Sequence, residues 1–181
     1  MFKSIAKFEK VSLDQYIKDF CTCFPEYVNH FEGDTDQLHD TIKTIYDHIK
    51  LPTRATAGSA GYDFFSPTKI VLNQDTYVTI PTGIRCKMDI GWVLKMYPRS
   101  GHGFKSGVHL ANTVGIIDSD YYNALNEGHI MIKLVNDSGI SQRIKIDRGT
   151  GFCQGIFLPY GIAIEDEVTE ERTGGFGSTT K

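Results

Sequence analysis

The chain has 181 residues, of which 40% are hydrophobic, and this is enough to bury the core of one domain of ordinary size. A formal net charge of -3 and a pI near 6.0 argue against nucleic acid as a direct partner, because binding a polyanion requires an excess of basic side chains. The four cysteines lack zinc-type C-x-x-C spacing and no apolar run is long enough to cross a bilayer, so the sequence predicts a cytoplasmic protein with reduced thiols and no membrane contact.

The chain begins with a predicted strand and a predicted helix. β-forming residues at Ala6–Val11 indicate a strand, which we assign with the rest of residues 1–11 to the β core. Ser12 and Gln15 have the S-x-x-Q form of a capping box, which predicts a helix that continues to about Cys23.

A second helix is predicted to begin at Asp34 or Thr35, whose side-chain oxygens suit an N-cap, and to end by Leu51. Apolar residues recur there at spacings of three and four: Leu38, Ile42, Ile45, Tyr46 and Ile49. Residues 12–50 thus predict a helical insert, in which we find no chemical motif. The histidines in or near it have no ligand-pair spacing, so packing or solvation is favoured over a metal or partner role: His30, His39 and His48.

The composition changes after residue 50, and residues 51–164 predict an all-β domain. Glycine becomes frequent, and turn residues separate short apolar segments at intervals typical of a sandwich or barrel. The predicted strands are Lys69–Leu72, Thr76–Ile80, Ile84–Met88, Trp92–Tyr97, His129–Asn136, Ser141–Ile146 and Phe152–Pro159. Residues 165–181 lose apolar content, so we expect a mobile C-terminal arm.

The segment Leu110–Tyr121 has two short apolar runs around Gly115, which predicts two strands joined by a tight bend. Such a hairpin exposes backbone groups that can read the edge of a flat polar ligand, and Gly115 would allow that ligand to come close. Asp118 follows the buried run, where a carboxylate could hold a water molecule, and Tyr121 offers a flat wall. An ordinary hairpin that ends in a polar turn fits this segment equally well.

Four further segments carry polar groups that could bind a ligand, although each alone also fits an ordinary turn, loop or strand. Ala57–Asp63 leads from small residues to an aromatic residue and an acid. Tyr97–Gly101 and the tail around Arg172 combine guanidinium and hydroxyl groups that suit phosphate. Gln154 could hydrogen-bond an oxyanion or a water. Phe176, between glycines in a polar tail, is suited to stacking on a base.

In this order, A-G-Y-D, P-R-S-G, N-T-V-G-I-I-D-S-D-Y and G-G-F-G-S-T resemble the motifs of the trimeric dUTP pyrophosphatase (dUTPase) family. The likeness covers about residues 51–180. It implies an all-β, jelly-roll β-barrel subunit, here with a small N-terminal helical insert, and a homotrimer with active sites at subunit interfaces. It also implies that the C-terminal arm closes over an active site. The activity implied is Mg²⁺-assisted hydrolysis of dUTP to dUMP and pyrophosphate, which keeps uracil out of DNA and supplies dUMP for thymidylate synthesis.

The resemblance also implies roles for individual residues at the base, the sugar and the water. Asp118 would contact the sugar 3′-hydroxyl, orient the attacking water and accept its proton, and Gln154 would contact the water or a phosphate. Asn112 and the backbone of Gly115–Ile117 would read the uracil edge, where crowding excludes the thymine methyl group. Tyr121 would pack on the deoxyribose and leave no room for a 2′-hydroxyl.

The remaining implied roles concern the triphosphate and the arm. The implied phosphate-binding residues are Arg99, Ser100, Gly101, Arg172, Gly177, Ser178 and Thr179. Phe176 would stack over the uracil. Mg²⁺ would be bound chiefly by the triphosphate and waters, which is the usual habit of this ion, with Asp63 as an outer-shell anchor through water.

The sequence departs from the family pattern in four places. Tyr122 and Asn123 replace the usual Arg-Gly, and the following turn is lengthened through Ala124–Gly128. The last motif is one residue shorter, and Gly151-Phe-Cys-Gln replaces Ala-Gln. The insert at 12–50 is additional, and we expect its helices to pack outside the β core.

Three alternatives stay open at this point. A deoxycytidine triphosphate deaminase shares the fold but needs a glutamate at the base, where this segment offers Asp118. A regulatory protein could keep the nucleotide site as a sensor and bind a protein partner through the insert or the long turn. A catalytically inactive trimer is the third alternative, although it would have no need of all the motif residues.

Overall fold

The computed structural model of the chain describes residues 3–170, 172 and 174, and it contains mostly β-structure with a group of helices near the N-terminus. The strands are β1 (Ala6–Lys10), β2 (Thr53–Arg54), β3 (Tyr62–Phe65), β4 (Ile70–Asn73), β5 (Thr76–Pro81), β6 (Ile84–Met88), β7 (Trp92–Pro98), β8 (His109–Leu110), β9 (Gly115–Ile117), β10 (Met131–Asn136), β11 (Arg143–Ile146) and β12 (Gly151–Pro159). The α-helices are α1 (Leu13–Cys23), α2 (Pro25–Asn29), α3 (Thr35–Asp47) and α4 (Ser100–Ser106), and a 3₁₀ turn covers Ser119–Asn123.

The strands pair in an antiparallel manner in four small sheets. Their orders are β1-β6, β5-β10-β8, β11-β4 and β2-β3-β12-β7-β9. Burial alternates along β4 and β11, as expected when one face of a strand packs on a core and the other faces water. All seven of the strands predicted between residues 69 and 159 are confirmed: Ile84–Met88 has the predicted ends, and the ends of the other six differ by no more than two residues.

Both long predicted helices are confirmed, and side chains cap them as expected. Ser12 Oγ accepts a hydrogen bond from the backbone N–H of Gln15 at the start of α1, and Asp34 caps α3 in the same way. The second half of the expected capping box is wrong, because the Gln15 amide instead donates to Asp19. The short helix α2, which begins at Pro25, was not predicted.

The insert and the strands share one apolar core. Tyr16 and Phe20 of α1 and Ile42 of α3 are almost completely buried, in the same cluster as Ile80 and Ile84 of the sheets. Helix α1 packs against β5 and against α3. The helices therefore contribute to the stability of the strands rather than forming a separate layer.

Gly83 shows how closely the insert approaches the strands. Gly83, between β5 and β6, has a φ of +73°, a left-handed conformation that favours glycine. A Cβ atom at this position would lie 2.3 Å from Cδ1 of Ile49.

Within the described residues, no helix is long and apolar enough to cross a membrane.

Candidate active site

Asp118 lies where the buried strand β9 reaches the surface. Ile117 is buried and pairs with Leu94 of β7, whereas half of the Asp118 side chain is exposed. Nη1 of Arg172 donates a hydrogen bond of 3.0 Å to Oδ2 of Asp118. The Arg172 guanidinium also lies 4.9 Å from the centroid of the Tyr121 ring. Three predicted site residues, two of them only three positions apart and one from the C-terminal segment, therefore form one group.

The predicted hairpin around Gly115 is wrong in its pairing. Strands β8 and β9 do not pair with each other, because Leu110 of β8 pairs with Leu134 of β10 while β9 pairs with β7. The chain turns at Ala111 and Asn112 instead of at Gly115. Thr113 has a φ of +62°, and its N–H donates to the carbonyl of Leu110. The segment thus joins two sheets instead of forming a ribbon of its own.

Gly115 is required for packing inside the protein. A Cβ atom at this position would lie 3.0 Å from Cβ of Met96 on β7, closer than such atoms normally approach. The space that the sequence suggested for a ligand is therefore partly filled by the Met96 side chain. Strand β9 is the last strand of its sheet, so one of its edges pairs with no strand among the described residues.

A cleft of about 930 Å³ lies between the two sheets that this segment joins. Its volume is at the upper end of the range of small-molecule sites. The lining residues from the strands and their connections are Tyr77, Val78, Thr79, Met96, Leu110, Ala111, Asn112, Gly115, Ile117, Met131, Ile132 and Lys133. Three residues predicted to read the base, Asn112, Gly115 and Ile117, are among them.

The insert supplies the rest of the cleft wall, and sequence reasoning missed this contribution. The lining residues lie at the α1–α2 junction: Thr22, Cys23, Pro25 and Glu26. Burial and the charge of Asp19 raise the pKa of the Cys23 thiol to about 11, so this wall is neutral at the cysteine. No sequence signal pointed to these residues, because the insert carries no motif and only the fold brings it to the cleft.

Strands β3, β12 and β7 bring together a second group of predicted residues. Gln154 on β12 pairs with Asp63 on β3 and with Tyr97 on β7. Nε of Arg99 lies 3.2 Å from Oδ1 of Asp63, and its Nη1 donates to the carbonyl of Gly151. Asp63, Arg99 and Gln154 thus meet at one place although they are far apart in sequence.

Ser100 and Gly101 follow Arg99 directly and form the first turn of α4. His102 is next in this turn and was not predicted as a site residue. Burial lowers the pKa of His102, and the positive charge of Arg99 acts in the same direction. The imidazole is therefore neutral at pH 7, and the positive charge of this group resides on Arg99.

The remaining predicted site residues belong to the C-terminal arm or to the proposed metal contact. Phe176, Gly177, Ser178 and Thr179 lie outside the part of the chain that the structure describes, as does most of the predicted arm beyond residue 170. Within residues 3–170, 172 and 174, no group of three or more His, Cys, Asp or Glu side chains could hold a metal ion together. The one predicted metal-linked carboxylate, Asp63, is paired with Arg99.

Several known proteins are similar to this chain in sequence. The model of the dUTPase family matches residues 47–180. The deoxyuridine 5′-triphosphate nucleotidohydrolase of Lactococcus lactis subsp. lactis is 42% identical over 134 residues, which cover 72% of this chain and 88% of the relative. The enzyme of the same name from Nautilia profundicola is 32% identical over 145 residues, covering 77% and 97%.

Solved structures give the same result for the fold. The dUTPase from Streptococcus mutans superposes with a TM-score of 0.57 at 38% identity, covering 62% of this chain and 88% of that one. The dUTPase from phage phi11 of S. aureus superposes with a TM-score of 0.55 at 23% identity, covering 67% and 90%, and this likeness concerns the fold alone. The motifs, the two residue groups and these matches lead to one conclusion: the chain belongs to the dUTPase family.

Proposed function

We propose that this enzyme hydrolyses dUTP to dUMP and pyrophosphate, keeping uracil out of DNA and supplying dUMP for thymidylate synthesis. The observation that carries the proposal is the position of Asp118. This half-exposed carboxylate directly follows Ile117, which lines the cleft, and it contacts the guanidinium of Arg172. A carboxylate next in the chain to a residue that lines a cleft for a base could act on the sugar and phosphate that follow the base.

The cleft would receive the uracil. Asn112 offers an amide. The edge of β9 at Gly115–Ile117 that pairs with no other described strand offers backbone N–H and C=O groups, so together they could hydrogen-bond the polar edge of the base. Met96, in contact with Gly115, narrows the cleft at this point, which is consistent with rejection of the thymine methyl group. The buried ring of Tyr121 would support the deoxyribose.

Asp118 would orient a water molecule for in-line attack on the α-phosphorus and accept its proton. The bond from the α-phosphorus to the bridging oxygen breaks, and pyrophosphate leaves. In the present structure Asp118 is bound to Arg172 of the same chain. We infer that Arg172 turns to the phosphates when dUTP binds, because a triphosphate carries more negative charge than one carboxylate.

Arg99, Ser100 and Gly101 would bind the phosphate chain, with Gln154 beside them. The residues present fit a Mg²⁺ ion that arrives on the triphosphate, since Asp63 is a single carboxylate within a phosphate-binding group and not part of a protein cage. Asp63 would hold the ion through a water. The bound ion would neutralise phosphate charge. Phe176, Gly177, Ser178 and Thr179 would complete the site from the arm.

We further propose that the functional unit is a homotrimer of jelly-roll subunits. Residues 1–11 and 51–164 would form the β domain, 12–50 the insert, and 165–181 the arm. Large apolar side chains stay exposed at the end of β12 and in the segment that follows it: Leu158, Tyr160, Ile162 and Ile164. Such a row is normally covered by another chain. Sedimentation equilibrium should give the mass of three chains, and the mass of one chain would contradict the proposal.

The direct test is pyrophosphate release from dUTP, dTTP, dCTP and UTP in the presence of Mg²⁺. We expect release from dUTP only, and removal of Mg²⁺ by EDTA should lower it at least about tenfold, because the ion supplies charge stabilisation worth several kcal/mol. Thermal unfolding without nucleotide should not change with EDTA, since the ion belongs to the substrate. Equal turnover of dTTP, or deamination of dCTP, would contradict the proposed function.

The cleft wall formed by the insert gives a second prediction. Cys23 lines the cleft, whereas Cys21, on the same helix and also partly exposed, does not. With dUMP at about ten times its Kd, we expect alkylation of Cys23 by N-ethylmaleimide to slow about tenfold, while Cys21 reacts at an unchanged rate. Burial raises the pKa of both thiols, so the reaction is followed in mildly alkaline buffer by peptide mass spectrometry. Equal protection of both cysteines, or of neither, would show that the ligand lies away from the insert.

A further inference from the structure

The insert and the lengthened turn at 124–128, two of the four places where the sequence departs from the family pattern, bind each other. The backbone N–H and the Oγ of Ser12 both donate to the carboxylate of Glu127, over 2.7 and 2.6 Å. Burial favours the neutral form of Glu127, but the hydrogen bonds from Ser12 and the positive charge of Arg85 together lower the pKa of this carboxyl. The start of α1 is therefore attached to the turn by an ionised group.

A second attachment runs through His129, which is completely buried. Its Nε2 atom accepts a hydrogen bond of 2.7 Å from the N–H of Gly83, so this nitrogen carries no proton. The proton must lie on Nδ1, which donates over 2.5 Å to Oδ2 of Asp19 on α1. Gln15 also donates to Oδ2 of Asp19 and holds that carboxylate in place. One tautomer and one ring orientation of His129 are thus selected.

The same turn holds Tyr121. The Tyr121 hydroxyl donates over 2.8 Å to the carbonyl of His129 and accepts a hydrogen bond of 2.8 Å from the side-chain amide of Asn126. The ring of Tyr121 is 2% exposed, and Arg172 lies over it beside Asp118. Asp19 of the insert binds the side chain of His129, and Tyr121 binds the backbone carbonyl of the same residue, so His129 links the insert to the tyrosine of the site.

We propose that Asp19 and His129 are positioning residues that hold the Tyr121 ring where it excludes a 2′-hydroxyl, so that the insert sets the selectivity for deoxyribose. The inference rests on the proposed function, in which Tyr121 packs on the sugar. Without the carboxylate, the imidazole would lose the partner of its Nδ1–H, and the carbonyl of His129 could shift with the turn. A small shift of the ring would open space next to the sugar at C2′.

The test compares kcat/KM for dUTP and UTP in three variants of α1. Asp19→Ala should lower the ratio of kcat/KM for dUTP to kcat/KM for UTP about tenfold, because the Tyr121 ring is no longer held in one position. Asp19→Asn keeps an oxygen that accepts from Nδ1–H and should restore the ratio to within about threefold of the wild type. Asp14→Ala, an exposed aspartate on the same helix, is the matched control and should leave the ratio unchanged.

Asn126→Ala provides a route that does not depend on the folding of α1. It removes the donor to the Tyr121 hydroxyl. It also removes a buried amide oxygen that has no hydrogen-bond partner among the described residues, so the substitution should be tolerated. We expect the ratio to fall in this variant as well.

The outcomes separate the two proposals. A wild-type enzyme that fails to hydrolyse dUTP, or that accepts UTP equally well, would overturn the proposed function itself. A wild type that discriminates, together with Asp19→Ala and Asn126→Ala variants that discriminate equally well, would overturn only the positioning role. A loss of kcat/KM for both nucleotides by the same factor would also overturn it, because that pattern indicates general destabilisation of the site.

Discussion

Replacement of Asp118 by asparagine is expected to lower kcat for dUTP by about 10²- to 10⁴-fold, the range typical for loss of a general base. Asparagine has nearly the same shape and can still accept a hydrogen bond from Arg172, but its amide cannot take a proton from water. The Kd for dUTP should change much less than kcat, because the base and phosphate contacts persist. Pyrophosphate release gives kcat, and calorimetric titration of the variant gives the Kd.

Asp89→Asn is the matched control for this variant. Asp89 has the same exposed fraction as Asp118, 50%, and is also paired with a cation, Lys3, but it lies on the turn after β6. Its replacement should leave kcat within about twofold of the wild type. If Asp118→Asn kept full activity, the assignment of the base would be wrong. If the wild type bound dUTP without turnover, the regulatory alternative would become the better account of the chain.

Truncation of Ile42 to alanine is expected to lower the free energy of unfolding by about 2–5 kcal/mol, the usual cost of a large cavity in a packed core. Ile42 lies on α3 and is completely buried in the cluster shared with the strands. Alanine preserves helix propensity, so the loss reports on packing alone. Urea unfolding followed by circular dichroism measures the effect, at one fixed protein concentration because an oligomer unfolds in a concentration-dependent way.

Ile90→Ala is the matched control, since this isoleucine is 89% exposed on the β6–β7 turn. Its truncation should change the unfolding free energy by no more than about 0.5 kcal/mol. A single transition is expected in both variants, with helices and strands unfolding together. A separate early transition of helical signal in Ile42→Ala would show that the insert is a peripheral unit, independent of the β core.

Local sequence patterns were sufficient wherever the physical cause is itself local. The N-cap oxygens of Ser12 and Asp34 precede apolar residues at helical spacing, and both helices begin where these signals place them. Alternation of apolar and polar residues located the strands for the same reason, because successive side chains of a strand point to opposite faces. The order of the motifs was sufficient to predict the family.

Local sequence patterns did not predict which distant segments pair with each other. The sequence suggested that the strands beside Gly115 pair with each other, but β8 pairs with β10 and β9 pairs with β7. No pattern within residues 110–117 indicates either partner. The backbone N–H of Ser12 binds Glu127, 115 residues away, where local rules favour Gln15. The long-range hydrogen bond to Glu127 forms instead of the local one because packing of the core places Glu127 next to Ser12.

The sequence by itself determined the two long helices and the seven strands between residues 69 and 159, because propensity, capping and periodicity act between residues that are close in the chain. Only the tertiary structure decided that Cys23 of the insert lines the cleft and that Met96 fills the space beside Gly115. It also decided that His129 connects Asp19 to Tyr121. These contacts depend on which faces become buried against each other, and packing of distant segments into one core settles that choice.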